Sequence, residues 1–153
     1  MFDTNAFSAL FRSYYRDRFP SLWAQFDNLI ATGAIVSTRE VLRELEGSSI
    51  EGIEEWHKAN KPVFSVPTAD EGAFVAEIYR VPHFQQNIEQ AKILKGGTNA
   101  DPFVIAKAAT IDGTVVTLEK PKPNSAKIPT ICQHFNIPCI SLEAFMEAEN
   151  WRF

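Results

Sequence analysis

Two cysteines, Cys132 and Cys139, are too few in a chain of 153 residues for a disulfide scaffold. The stretch between them does not have the spacing of a zinc knuckle, and both are read as reduced core or near-core residues. No apolar run approaches the roughly 20 residues of a membrane span, and no basic-then-apolar leader opens the chain. A soluble, cytoplasmic protein without membrane contact is therefore expected. Positive charge is also scarce, since the formal net charge of −4 disfavours a general nucleic-acid binder. The three histidines, His57, His83 and His134, are scattered and read as surface or satisfied core residues, not as an acid–base centre.

What is present is ordinary globular material. With 45% hydrophobic and 12% aromatic residues and no low-complexity stretch, the chain has enough apolar mass for one core of its own, so residues 1–153 are expected to form a single domain. The charge is uneven. Between Lys92 and Lys127 six lysines face three acids, a local +3 against −7 for the remainder. Lys95, Lys107, Lys120 and Lys122 are accordingly candidates for the approach of a phosphate backbone, with a solvated lysine loop as the plain alternative.

Periodicity and punctuation predict strands alternating with helices. A short strand Met1-Phe2-Asp3 leads into a helix over Ala6–Tyr15, and Pro20 opens another over Ser21–Ala31 that ends at Gly33. Ala34-Ile35-Val36 is the next strand, followed by a helix that carries Glu40 and Glu44 and is capped by Ser37 or Thr38. Gly47-Ser48-Ser49 separates it from a helix over Ile50–Ala59. A strand over Val63–Val66 and helices over Ala69–Arg80 and Phe84–Lys95 follow, then a loop at Gly96-Gly97. Asp101–Ile111 is helical, Asp112-Gly113 turns it into the strand Thr114–Leu118, and Pro121–Pro123 makes a loop. A helix over Ile128–Phe135, a strand at Pro138-Cys139-Ile140 and a helix over Leu142–Ala148 complete the pattern. The order implies a right-handed parallel α/β sheet covered on both faces.

Four acids stand out in this frame. Asp3, Asp101 and Glu119 sit at predicted strand ends or helix starts, and Glu44 lies one to two turns into the helix after a strand. Open α/β folds keep their ligand sites at that edge. Carboxylates gathered there repel one another and call for a divalent cation. Each also has a plain reading. Asp3-Thr4-Asn5 is the composition of a helix cap, and Glu44 beside Arg43, with Glu40 a turn earlier, suits a solvated face. Asp101 before Pro102 has the sequence of an N-cap, and Glu119 suits an exposed position after a buried strand.

The order of motifs resembles the PIN-domain ribonucleases: Asp3-Thr4-Asn5 at the first strand, a Ser/Thr-capped helix with Val41-Leu42-x-Glu44-Leu45, Asp101 opening a helix with Ile105-Ala106-x-Ala108, and Val115-Val116-Thr117-x-Glu119. Within that superfamily it is most similar to the compact VapC-like toxins. The likeness extends to Lys127-Ile128-Pro129-x-x-Cys132 and the late strand Ile137–Ser141. It implies a three-layer α/β/α fold around a mostly parallel sheet of four to five strands. It also implies Mg²⁺ or Mn²⁺ held by Asp3, Glu44, Asp101 and Glu119, with Thr4, Asn5 and Thr117 orienting the acids. Cleavage of single-stranded or looped RNA to leave a 5′-phosphate would follow, with an antitoxin as partner. The family's fourth acid is usually Asp, so Glu119 reaches one methylene further.

Such a cluster suits Mg²⁺, which takes about six oxygens and keeps several waters, and one or two ions activate a water for in-line attack on a phosphodiester. Other classes fit less well. A haloacid-dehalogenase-type phosphatase needs a second acid where Asn5 stands, and a receiver domain needs paired acids after its first strand. A catalytically impaired PIN scaffold that binds RNA or protein is the main alternative. Phe11, Tyr14, Tyr15, Phe19 and Trp23 are candidates for a homodimer or partner face, or else for the core.

Overall fold

The computed structural model describes residues 1–88 and 99–152. Helix α1, Thr4–Ser13, buries Ala6, Phe7, Leu10 and Phe11, a spacing that places them on one face. Helix α2, Pro20–Ala31, uses Pro20 at its first position and buries Leu22, Trp23 and Phe26. Next come the short strand β1, Ser37–Thr38, and helix α3, Arg39–Leu45. Helix α4 spans Ile53–Ala59, strand β2 Phe64–Ser65 and helix α5 Ala69–Arg80. After a helix over Asp101–Thr110 come β3, Val115–Val116, a helix over Ile128–His134, β4, Cys139–Ile140, and a helix over Leu142–Ala148.

Several boundaries differ from those the sequence suggests. The strand expected at Ala34-Ile35-Val36 begins only at Ser37, because the amides of Ala34 and Ile35 both donate to Leu29 O, at 2.9 and 3.1 Å, and complete the end of α2. Helix α4 starts at Ile53, not Ile50, since Gly52 before it adopts φ +76° and breaks the helical path. The helix expected over Phe84–Lys95 runs into residues outside those described, as does the loop at Gly96-Gly97.

The strands pair in parallel, as expected, but in two ladders. Ser37 and Thr38 align with Phe64 and Ser65, and Val115 and Val116 align with Cys139 and Ile140. The segment Met1-Phe2-Asp3 lies between them. Phe2 forms a parallel bridge with Val116, reinforced by Val116 N–H to Met1 O at 2.8 Å and Asp3 N–H to Val116 O at 3.1 Å. On its other side one backbone bond reaches across, Phe2 N–H to Val36 O at 3.0 Å. The Phe2 carbonyl is taken there by the Ser37 hydroxyl at 2.8 Å. Among the described residues the strands thus form two short parallel ladders with the Phe2 segment between them, and the expected continuous sheet of four to five strands is not seen.

The core is aromatic. Phe7 stands 5.3 Å from Phe2, 5.2 Å from Trp56 and 5.7 Å from Phe64, and Phe11 stands 4.8 Å from Trp23, centroid to centroid. Phe11 and Trp23 are therefore interior residues and not part of a partner face, with Trp23 Nε1–H donating to Tyr14 O at 2.7 Å. Tyr14 and Phe19 are half-buried against the core, and Tyr15 is exposed. Cys132 is buried, Cys139 is half-buried, and both are free thiols. Among the described residues no helix is long and apolar enough to cross a membrane.

Candidate functional site

The polar face of α1 forms one wall of a cleft of about 560 Å³, lined by Asp3, Thr4, Asn5, Ser8, Arg12, Glu44, Asp101, Leu118 and Glu119 among others. Four acids from distant parts of the chain thus open onto one concavity. Asp3 is carried there by the end of the first extended segment, Glu44 by α3, Asp101 by the first turn of its helix and Glu119 by the loop after β3.

Every one of these carboxylates is also held by protein donors. Asp3 Oδ1 accepts the Thr4 N–H at 2.7 Å, and Asp3 Oδ2 accepts the Thr117 hydroxyl at 3.0 Å. Asp3 is therefore the N-cap of α1 as well as a lining residue, and the two readings of it coexist. Glu44 Oε2 accepts the Thr4 hydroxyl at 2.6 Å, and its Oε1 accepts the Ala100 N–H at 3.2 Å. Glu44 consequently serves the start of the helix over Asp101–Thr110. Asp101 is the first helical residue, not the N-cap: Ala100 holds that position, and Pro102 moves one place inward. The Asp101 side chain accepts Asn87 Nδ2–H at 2.9 Å.

Glu119 Oε2 accepts the Ile128 N–H at 2.9 Å. The helix over Ile128–His134 has no side-chain cap of its own, and the extra methylene of Glu119 lets a residue outside the helix satisfy its first amide. Thr117 and Asn5 are tied together, Asn5 Nδ2–H reaching Thr117 Oγ1 at 3.1 Å and Asn5 Oδ1 accepting the Leu118 N–H at 2.8 Å.

Crowding is visible in the proton equilibria. Burial pushes the Asp3 carboxyl up to about 7; the neighbouring charge of Asp101 and, more weakly, that of Glu119 push the same way, against the bonds from Thr117 and Thr4. Burial, followed by the charge of Asp101, pushes the Tyr79 phenol up to about 12. Tyr79 is thus a hydroxyl donor to Asn87 Oδ1 at 3.2 Å and accepts Asn99 Nδ2–H at 3.1 Å.

The lysines separate. Lys107 lies away from the cleft, its ammonium 3.4 Å from the carboxylate of buried Glu71 and its side chain only 12% exposed, so it is not available to an approaching phosphate. Lys120 and Lys122 are exposed, and Lys120 lines a groove next to the cleft. Lys95 lies outside the described residues. Sequence reasoning missed Ser8 and Arg12 as lining residues, although Thr4, Ser8 and Arg12 at four-residue spacing declare one helix face. It also missed Asn87, for which no local signal exists: its bond to Asp101 is purely tertiary.

Among the described residues, no group of three or more His, Cys, Asp or Glu side chains is arranged to hold a metal ion. The donors present are hard carboxylate and hydroxyl oxygens, of the kind Mg²⁺ takes. Burial is the largest cause of the raised pKa of Asp3, and the neighbouring charge of Asp101 adds to it.

These features define an α/β protein with short parallel strands and an acidic cleft at their ends. The chain belongs to the family described as Domain of unknown function (DUF4411), whose match covers residues 1–153. Neither the curated proteins nor the solved structures contain a match.

Proposed function

We propose that this protein is a PIN-like, metal-dependent endoribonuclease, the toxin of a toxin–antitoxin pair. The observation that carries this reading is the convergence of Asp3, Glu44, Asp101 and Glu119 on one cleft. The PIN-like arrangement draws support from the parallel pairing of the short strands and from the bridge between Phe2 and Val116, which sets Asp3 and Thr117 side by side.

On this reading Asp3, Glu44 and Asp101 hold Mg²⁺ or Mn²⁺, with Glu119 at the edge. When bound, the ion supplies an activated water and charge stabilisation at the phosphodiester. The chain's own residues prepare the site. Thr117 fixes the rotamer of Asp3, Asn87 fixes that of Asp101, and Asn5 anchors the Leu118 backbone beside Glu119. Arg12, a basic residue of the cleft lining, would on this reading meet a phosphate oxygen.

The test is metal-dependent cleavage of RNA by the wild type and by Asp101→Asn. The wild type should cleave with Mg²⁺ or Mn²⁺ and not with chelator present, and the variant should lose at least a hundredfold in rate while remaining folded. Growth arrest on induction, relieved by the product of an adjacent small gene, would support the toxin assignment. A second reading, a PIN scaffold that binds RNA or protein without cutting, is favoured by the commitment of Glu119 to Ile128. RNA binding with equal, metal-independent background in both proteins would establish it.

A further inference from the structure

Leu118 and Glu119 line not only the acidic cleft but also a second groove of about 630 Å³, whose walls include Tyr14, Lys120, Ile140 and Met146. The two concavities are thus neighbours with a shared wall, one anionic and one largely apolar. Leu118 is 44% exposed, a large aliphatic side chain left at the surface. It is not loosely placed. Its N–H is held by Asn5 Oδ1 at 2.8 Å, and the preceding Thr117 is buried and bonded to Asp3. A fixed backbone therefore presents an exposed apolar side chain on the divide between the two.

A nucleotide has the same two-part chemistry: an ionic phosphate and, one sugar away, a flat base whose faces are apolar. The basic residues lining the two concavities are Arg12 in the cleft and Lys120 in the groove, where Glu119 and Glu143 also stand, so a strand crossing the divide meets one cation on either side. Tyr14 offers an aromatic surface in the groove, steadied by an edge contact with Phe19 at 5.4 Å, and aromatic stacking on bases is tolerant of sequence. We propose that the groove seats the unpaired base of the nucleotide beside the scissile phosphate, and that Leu118 acts as a wedge separating that base from its neighbour. Leu118 is then a positioning residue, and single-stranded RNA is preferred over duplex, whose paired base enters only after unpairing and unstacking. The inference rests on the nuclease reading above for the location of the phosphate.

The test uses a short single-stranded RNA in which one abasic nucleotide is moved position by position. Cleavage is measured with Mg²⁺ or Mn²⁺, and affinity with Ca²⁺, for the wild type and Leu118→Ala. Leu118→Gln serves as a second variant should the alanine protein melt lower. One abasic position next to the cut should slow wild-type cleavage at least tenfold, with the others changing less than threefold, and the variant should lose that contrast. Cleavage equally insensitive at every position overturns the base seat and leaves the nuclease reading standing. If no RNA is cut, the same series is read as affinity: a single sensitive position, erased in the variant, retains the base seat and removes the nuclease, whereas uniform affinity or no binding overturns both.

Discussion

The Thr117 hydroxyl donates to Asp3 Oδ2 at 3.0 Å, joining residues 114 positions apart in the chain. That bond fixes one carboxylate of the cleft, and it exists only because the Phe2 segment lies beside Val116.

Asp3 makes stability depend on pH. Its folded-state pKa of about 7 exceeds the ordinary value of 3.8, so between those limits the folded chain retains a proton that the unfolded chain releases. The favourable contribution is complete below pH 3.8 and is lost as pH rises through about 7. At about 1.4 kcal/mol per pKa unit, the loss is at most roughly 4 kcal/mol. Metal-free protein should melt progressively lower from pH 4 to pH 7, and Asp3→Asn, which keeps a capping oxygen, should flatten the curve and melt higher at pH 8. A variant melting clearly lower at pH 8 would show that the cap, not the crowding, dominates at this position.

Glu119 has two separable duties. Glu119→Ala should cost about 1 kcal/mol by uncapping the Ile128 amide, as removal of an N-cap does. Glu119→Gln should preserve stability through the same acceptor while weakening Mn²⁺ binding, read by isothermal titration. Equal Mn²⁺ affinity in the glutamine variant and the wild type would confine Glu119 to the structural duty.

Lys107 is a stability residue. Lys107→Met leaves Glu71 buried without its counter-charge and should cost about 3 kcal/mol, measured by urea unfolding. Adding Glu71→Gln should restore most of that loss, because the amide oxygen still accepts the Thr68 N–H of the capping box. RNA affinity of the double variant should match the wild type.

Lys120 and Lys122 are exposed lysines on the loop that follows Glu119. If they meet the phosphate backbone, the Lys120→Ala/Lys122→Ala protein should bind uncleavable RNA with a shallower salt dependence, by about 0.7 in slope for each lost contact. Manganese affinity should not move. An unchanged slope would show that the two lysines are merely solvated.

The legible parts of this protein were those governed by neighbours in the chain. Thr68 marks the cap of α5, and Pro20 and Pro102 each mark a first turn. The spacing of Phe7, Leu10 and Phe11 gives the buried face of α1. Other boundaries depended on distant or three-dimensional partners: β1 is delayed because Leu29 O captures two amides, and Asp101 shifts from cap to first helical residue because Glu44 satisfies Ala100.

The sequence by itself determined the alternation of helix and strand and the placement of Asp3, Asp101 and Glu119 near element ends, because periodicity, caps and turn residues act over a few positions. Only the tertiary structure decided that these acids share one cleft, that Asn87 and Tyr79 stand behind Asp101, that Lys107 pairs with Glu71, and that the short strands pair in two ladders. Each of those depends on contacts between residues far apart in the chain, where burial, and not local propensity, selects the partner.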